Sequence, residues 1–168
     1  MTIKISEKLK LRPFKLSDVK SLTYHANNKN VWKNLTDLFP HPYTEDDAEK
    51  FIESVKDFIP PTVFAVVYEE NVIGSIGLSV SNKESKLCCD IGFWIGEEFW
   101  NRGIISASIK KVIAYCFQTF TDCDCISATV FAENKGSIKA LEKAGLERVQ
   151  FAEKAILKAG DKKDIYFY

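Results

Sequence analysis

The spacing of hydrophobic positions changes period once, near the middle of the chain. Leu87, Cys89, Ile91, Phe93 and Ile95 alternate with Cys88, Asp90, Gly92, Trp94 and Gly96, which is the two-residue period of a strand. From Ile105 the apolar positions are Ile105, Ile109, Val112, Ile113, Cys116, Phe117 and Phe120, which is one face of a helix. Residues 97–104 join the two. A strand therefore runs into a short loop, and the loop opens a long helix.

The same reading carries along the rest of the chain. A β-like segment lies within 3–12, with Pro13 limiting its extension. Ser17 and Asp18 offer an N-cap to a helix that turns Val19, Leu22 and Ala26 inward. A helical turn is expected around 31–35. Thr44 opens a helix with three acidic residues in its first turn, and its apolar positions run from Ala48 to Ile59, where two prolines end it. Residues 62–68 form a continuous apolar run, the pattern of a strand buried on both faces. Residues 73–80 are the next strand, followed by a polar turn at 81–85. Past the long helix come a strand over 125–131 and a shorter helix opened by Asn134 and Ser137. Gly145 sits where a helix end calls for a left-handed residue. A hairpin of 149–158 and 164–168 completes a β-α-α-β-β-β-α-β-α-β-β order. The last strand ends at Tyr168, and as a sheet edge it would be open to pairing with a second chain.

The strand–loop–helix turn suits an anion. The first N–H groups of a helix have no intrahelical partner and carry the positive end of its dipole. Gly103 lets the backbone approach a phosphate closely, Arg102 adds a fixed charge, and Ser106 adds a hydroxyl in the first turn. The alternative is a plain strand–helix turn in which Gly103 only supplies an unusual backbone angle. A nucleotide site of another class is disfavoured, because the second glycine of a dinucleotide fingerprint and the GK[ST] of a P-loop are both absent.

Composition narrows the class. The 168 residues are enough for one domain, 1–168, with a real core, and 46% hydrophobic with 27% charged residues is ordinary globular composition. Lys+Arg and Asp+Glu are 23 each, so no net field favours nucleic acid or an acidic membrane. No apolar run is long enough to span a bilayer. The five cysteines include no paired CxxC knuckle, so they read as reduced core residues of a cytoplasmic protein. No metal is expected, since His25 and His41 lie far in sequence from the cysteines. Trp32, Phe39, His41 and Tyr43 either line an acceptor pocket or form a small satellite core under a loop.

Three stretches resemble one family. W-N-R-G-I-I-S-A at 100–107 resembles the pyrophosphate motif, Q/R-x-x-G-x-G/A, of the GNAT superfamily of acetyl-CoA-dependent N-acetyltransferases. Gly103 matches its first glycine and Arg102 the basic residue before it. Trp100 stands at Q/R, as in many relatives of the ribosomal-protein N-terminal-alanine acetyltransferases, and Ile105 stands where Gly or Ala is usual. F-A-E-N-K-G-S-I-K-A-L-E-K-A-G-L at 131–146 is similar to the N-x-x-S-x-x-x-x-E-K-x-G-F segment of that branch, with Leu146 for the final Phe. N-V-W-K-N-L-T-D-L-F-P-H-P-Y-T at 30–44 is similar to the branch's N-terminal region.

The resemblance implies an α/β (α+β) fold, a mixed and mostly antiparallel seven-stranded sheet with helices on both faces. It implies acetyl transfer from acetyl-CoA to a primary amine in a ternary complex. The backbone of Asn101, Arg102, Gly103, Ile104, Ile105 and Ser106 would hold the pyrophosphate. The central strand would bulge, eased by Gly92 and Gly96, and splay from its parallel neighbour, so that Phe93, Trp94 and Ile95 pair with the pantetheine. Asn134 would bind the pantetheine or acetyl end. Ser137 would protonate the departing thiolate, since no Tyr lies between Phe131 and Leu146. Asp90, where the family often shows Glu, would take the amine's proton. The acceptor is a protein N-terminal amine or a small amine such as a polyamine or an aminoglycoside, and the protein a monomer or homodimer. The alternative is a non-catalytic acyl-CoA-binding sensor or interaction module on the same fold.

Overall fold

The computed structural model describes residues 1–83 and 86–168, so the turn expected at 81–85 lies in part outside the described residues. Its strands are β1 (Ile3–Lys4), β2 (Leu9–Arg12), β3 (Val63–Tyr68), β4 (Asn71–Lys83), β5 (Lys86–Ile95), β6 (Cys123–Ser127), β7 (Thr129–Phe131), β8 (Gln150–Lys158) and β9 (Asp161–Phe167). Its helices are α1 (Val19–Ala26), α2 (Lys29–Trp32), α3 (Glu45–Val55), α4 (Ile104–Thr119) and α5 (Lys135–Ala144).

Strands β1 to β6 lie in chain order in one six-stranded sheet, and β7, β9 and β8 form a second of three. Every ladder is antiparallel except β5–β6. The expected seven strands become nine for two local reasons. The N-terminal segment folds back as the β1–β2 hairpin. The strand expected at 125–131 is one extended stretch that changes partner at Ala128. Its first part pairs with β5 and its last part with β9, and Ala128 exchanges backbone hydrogen bonds with Tyr168 at 2.9 and 3.0 Å. Alternation reports an extended chain but not its partner. Strand β9 lies between β7 and β8, so the C-terminal strand is not the open edge expected of it.

The large sheet is covered on both sides. Helix α4 buries Ile105, Ile109, Val112 and Cys116 against Phe64, Ile76, Cys89 and Ile91. Helices α1 and α3 pack Leu22, Ala26, Ala48 and Ile52 against Ala65, Val67 and Val72 on the other face. The expected α3 signals hold at its start, where Thr44 and Asp47 cap each other reciprocally. Its apolar stripe stops earlier than expected, because the helix ends at Val55 and leaves Ile59 96% exposed.

Asp18 does not cap α1 with its side chain. It is buried, accepts two bonds from the Arg12 guanidinium at 2.7 and 2.8 Å, and accepts the Lys15 N–H at 2.8 Å. The same pair holds the Arg12 pKa above its ordinary value. Arg12→Met would strand the Asp18 charge and is expected to cost about 3–5 kcal/mol. The check is the urea midpoint, which should fall with little change in slope.

The cysteines depart from the all-reduced expectation. Residue pairing sets Cys88 opposite Cys125, and the two are joined as a disulfide between β5 and β6. They are 37 residues apart, so nothing in the spacing announces the pair. Cys89, Cys116 and Cys123 remain free and buried on the α4 side. Burial pushes the Cys89 and Cys116 thiols up, so both stay neutral and pack as small hydrophobes.

Candidate active site

The functional geometry follows from where β5 loses its neighbour. Strand β6 runs beside β5 only as far as the pair Asp90↔Ser127, and beyond it the chain leaves for the second sheet. One edge of β5 then faces a cleft. Two cavities occupy that cleft, of about 1020 and 520 Å³, and Phe93, Trp94, Asn134 and Ser137 line both. These four residues come from two places far apart in sequence, the end of β5 and the start of α5.

The bulge expected in β5 is absent there. Strand β5 keeps a single register against β4 from Gly74↔Ile95 to Lys83↔Lys86. The irregularity lies one strand over, where Ile73 of β4 is the extra residue between the pairs Val66↔Gly74 and Val67↔Val72. On its other side the Ile73 carbonyl accepts the Gly96 N–H at 2.8 Å, which carries the β4–β5 pairing one residue past Ile95. Gly96 also leaves room for His25, whose Nδ1 would lie 2.6 Å from a Cβ at that position. Burial lowers the His25 pKa against the opposing pull of Glu98.

Strand alternation decides which backbone groups the cleft receives. Trp94 pairs with Ser75 and turns its groups toward β4, so Phe93 and Ile95 turn theirs to the open edge. The Ile95 carbonyl there is taken by the Trp100 indole N–H at 2.9 Å. The N–H and C=O of Phe93 and the N–H of Ile95 remain along the edge. Trp94 lines both cavities but offers the open edge no backbone group. Its ring meets Phe39 edge-on at 5.6 Å, on the α1–α3 side of the sheet.

The smaller cavity ends at the start of α4. Asn101 and Gly103 both have left-handed backbones, at φ 61° and 74°. That bend points the first turn of α4 at the cavity. Ala107 N–H to Gly103 C=O, at 3.1 Å, closes the helix's first bond, so the N–H groups of Ile104, Ile105 and Ser106 precede any intrahelical donor. The Ser106 hydroxyl donates back to the Gly103 carbonyl at 2.9 Å, so the loop presents backbone rather than the hydroxyl donor that was expected. Arg102 is exposed and lies over the Phe99 ring at 5.2 Å. The Ile104 and Ile105 side chains are buried in the α4-side core, which leaves only their backbone at the loop.

Asn134 is the N-cap of α5. Its Oδ1 accepts the Ser137 N–H at 3.1 Å, and its Nδ2 donates to Ser137 Oγ at 2.9 Å. The Ser137 hydroxyl thus receives one bond and keeps its own hydrogen to give. Gly145, at φ 100°, ends the helix as its position in the sequence requires. Asp90 lines the larger cavity and accepts the Ser127 hydroxyl at 2.9 Å, a neutral partner in place of an ion pair.

Of the aromatic candidates, Phe39 and Tyr43 line the larger cavity and stack on each other at 4.8 Å. Burial pushes the Tyr43 hydroxyl up to about 12, so it stays neutral. Trp32 and His41 are not among the residues lining either cavity. They stack at 5.4 Å, and the Trp32 ring lies under Lys158. Sequence reasoning passed over Trp100 as a donor, and also Asn34 and Leu35, which line both cavities. The tryptophan was visible as a motif departure, and the other two lie within the 30–44 stretch that resembles the family, where only the aromatic residues were singled out.

The site thus combines a splayed parallel pair, a strand edge without a neighbour and a helix N-terminus at one end. Residues 8–147 match the family described as "Acetyltransferase (GNAT) domain", and the chain belongs to that family. It is 28% identical over 151 residues to the "Uncharacterized N-acetyltransferase p20" of Bacillus licheniformis, covering 85% of this chain and 81% of that one. It is 29% identical over 98 residues to the "L-amino acid N-acetyltransferase AaaT" of Escherichia coli, covering 58% and 60%. Among solved structures it resembles RimL, a ribosomal-protein α-N-protein acetyltransferase in complex with coenzyme A, with a TM-score of 0.84, 17% identity, and 100% and 96% coverage. Among the described residues, no helix is long and apolar enough to cross a membrane.

Proposed function

We propose that the protein transfers the acetyl group of acetyl-CoA to a primary amine, and that both substrates meet at Phe93, Asn134 and Ser137. The observation that carries this reading is the pair of cavities joined at those residues, one ending at a helix N-terminus and the other lined by aromatic side chains and Asp90. Acetyl-CoA supplies an activated thioester. The N–H groups of 103–106 would hold its pyrophosphate, with Arg102 adding charge. The open groups of Phe93 and Ile95 would pair with the pantetheine as an added strand. A backbone N–H on that edge would polarise the thioester carbonyl.

The remaining steps fall to three side chains. Asp90 accepts a proton from the amine as its nitrogen bonds to the carbonyl carbon. Ser137 passes its hydroxyl hydrogen to the sulfur as the C–S bond breaks, and its oxygen recovers a proton through water from the protonated Asp90, which returns both groups to their starting state. Asn134, by donating to Ser137 Oγ, holds that hydroxyl in the orientation to give its hydrogen. Alignment of the two substrates supplies much of the rate. Names among the relatives include an acetyltransferase of amino acids and one of ribosomal proteins, which supports a small amine or a protein N-terminus as the acceptor. The alternative of a non-catalytic sensor rests on the departure at Ile105 and on the absence of an assured base; the burial of the Ile105 side chain in the core weakens the first of these.

The test is release of free thiol from acetyl-CoA over a panel of amines and short peptides, with the acetylated product identified by mass. Transfer to at least one amine supports the reading, and tight cofactor binding with none refutes it. Asp90→Asn keeps the acceptor for Ser127 and removes the carboxylate. It is expected to lower kcat by about tenfold or more with unchanged thermal stability. A kcat equal to the wild type would remove Asp90 from the reaction.

A further inference from the structure

The two walls of the larger cavity are fastened to each other. One wall is the loop after α2, which contributes Leu35, Thr36 and Phe39, and the other is the β8–β9 hairpin, which contributes Ile156 and Ile165. Asp37, in the middle of the loop, reaches across to the hairpin tip. Its Oδ2 accepts the Ala159 N–H at 2.9 Å, and its Oδ1 lies 3.0 Å from Lys158 Nζ. Those contacts, the Ala159 bond first, hold the Asp37 carboxyl below the usual carboxylate range. Lys158 Nζ also sits 3.6 Å from the centroid of the Trp32 ring, and Trp32 is backed by His41.

The position of Lys158 is the unusual feature. It is next to the turn of a hairpin, where a lysine ordinarily extends into water. Its side chain is instead 3% exposed, between a carboxylate and an indole. Burying an ammonium costs several kcal/mol unless partners offset it. Its neighbours come from the end of α2 and the loop that follows, and the Asp37 ion pair together with the Ala159 N–H bond to Asp37 ties that segment to the hairpin.

We propose that Asp37, Lys158 and Trp32 form a clasp around the acceptor cavity, and that it restricts the acceptor to a compact primary amine with an apolar body. This rests on the acetyltransferase reading above. The cavity, about 1020 Å³, has room for a small molecule held whole. Its lining includes Phe39, Tyr43, Phe51, Trp94 and Phe131, which suit carbon rather than a chain of peptide groups. Of its charged lining groups, Lys50 is paired with Asp46, and Asp47 is committed to Thr44. Asp90, with its neutral partner, is left to attract the amine. An extended polypeptide lying across the cleft would have to part the loop from the hairpin.

The test compares the wild type with Lys158→Met, Asp37→Ala and the conservative Lys158→Arg. Three quantities are read: kcat/KM for compact apolar amines and for hexapeptides, amide exchange over 33–43, and acetyl-CoA affinity. The wild type should favour the compact amines by at least about tenfold in kcat/KM. Lys158→Met and Asp37→Ala should quicken exchange in the loop and shift preference toward peptides by about tenfold or more, mainly through KM of the compact amines. Lys158→Arg should restore both, and acetyl-CoA affinity should be unchanged throughout. A wild type that prefers hexapeptides, or variants with unchanged loop exchange, would overturn the clasp as a determinant of specificity. Acetyl-CoA binding without turnover of any amine would sink the transferase reading and the acceptor assignment with it, while the loop exchange would still report whether the residues fasten the two walls.

Discussion

Replacing Gly103 by valine is expected to abolish measurable acetyl-CoA binding while leaving the protein folded. Gly103 holds φ 74° at the N-cap of α4. A left-handed backbone costs an ordinary residue about 1–2 kcal/mol, and a β-branched one is a genuine outlier there. If the loop relaxes to escape that strain, the N–H groups of 104–106 turn away from the phosphate. Hydrogen bonds to a charged group are worth about 1.5–3 kcal/mol each, so losing two would weaken binding by at least about 100-fold. The stability cost is smaller, a fall in Tm of a few degrees for a domain of this size. Gly103→Ala separates strain from bulk, because its Cβ would find nothing nearer than Ser106 Oγ at 4.0 Å. Alanine should therefore bind with intermediate affinity. Calorimetric titration of the three proteins reads the series, and equal affinity in all three would show that the loop does not hold the cofactor.

Ser137→Ala is the second large effect and falls on a different quantity. The Asn134 cap survives, since its Oδ1 bonds the backbone N–H of residue 137 and not its hydroxyl. Helix α5 should remain in place and acetyl-CoA should bind as before. The proton for the leaving thiolate is lost, and a positioned general acid contributes about 10²–10⁴-fold. The lower end of that range is expected in kcat, because water can reach so open a cleft. Thiol release at saturating acetyl-CoA measures it. A full kcat in the alanine variant would make Ser137 a capping residue only.

What the sequence disclosed was what local chemistry controls. The capping box of Thr44 and Asp47, the left-handed Gly103 and Gly145, and the change of period at the end of β5 each act over a few residues. They placed the helices and the left-handed turn that opens α4. The features that were misread depend on partners remote in the chain. Cys88 and Cys125 meet only because β5 and β6 run parallel, with a register shift between Leu87 and Cys88 that sets the two opposite each other. Asp18 carries the signature of a cap, yet the Arg12 guanidinium outbids the helix N–H groups for its carboxylate. The splay at Ala128 and the contact of Asp37 with Ala159 leave no periodic trace at all. The site was therefore legible as residues and illegible as a cleft. Trp94 shows the difference, since it stands in the expected stretch and faces the opposite side of the sheet.

The central claim is that acetyl-CoA lies in the cleft opened by β5 and β7, with its pyrophosphate at the start of α4. Amide exchange with and without acetyl-CoA tests it most directly. The predicted result is slowed exchange confined to 93–95, 101–106 and 134–137. Protection that omits 101–106, or that maps to another surface, would contradict it.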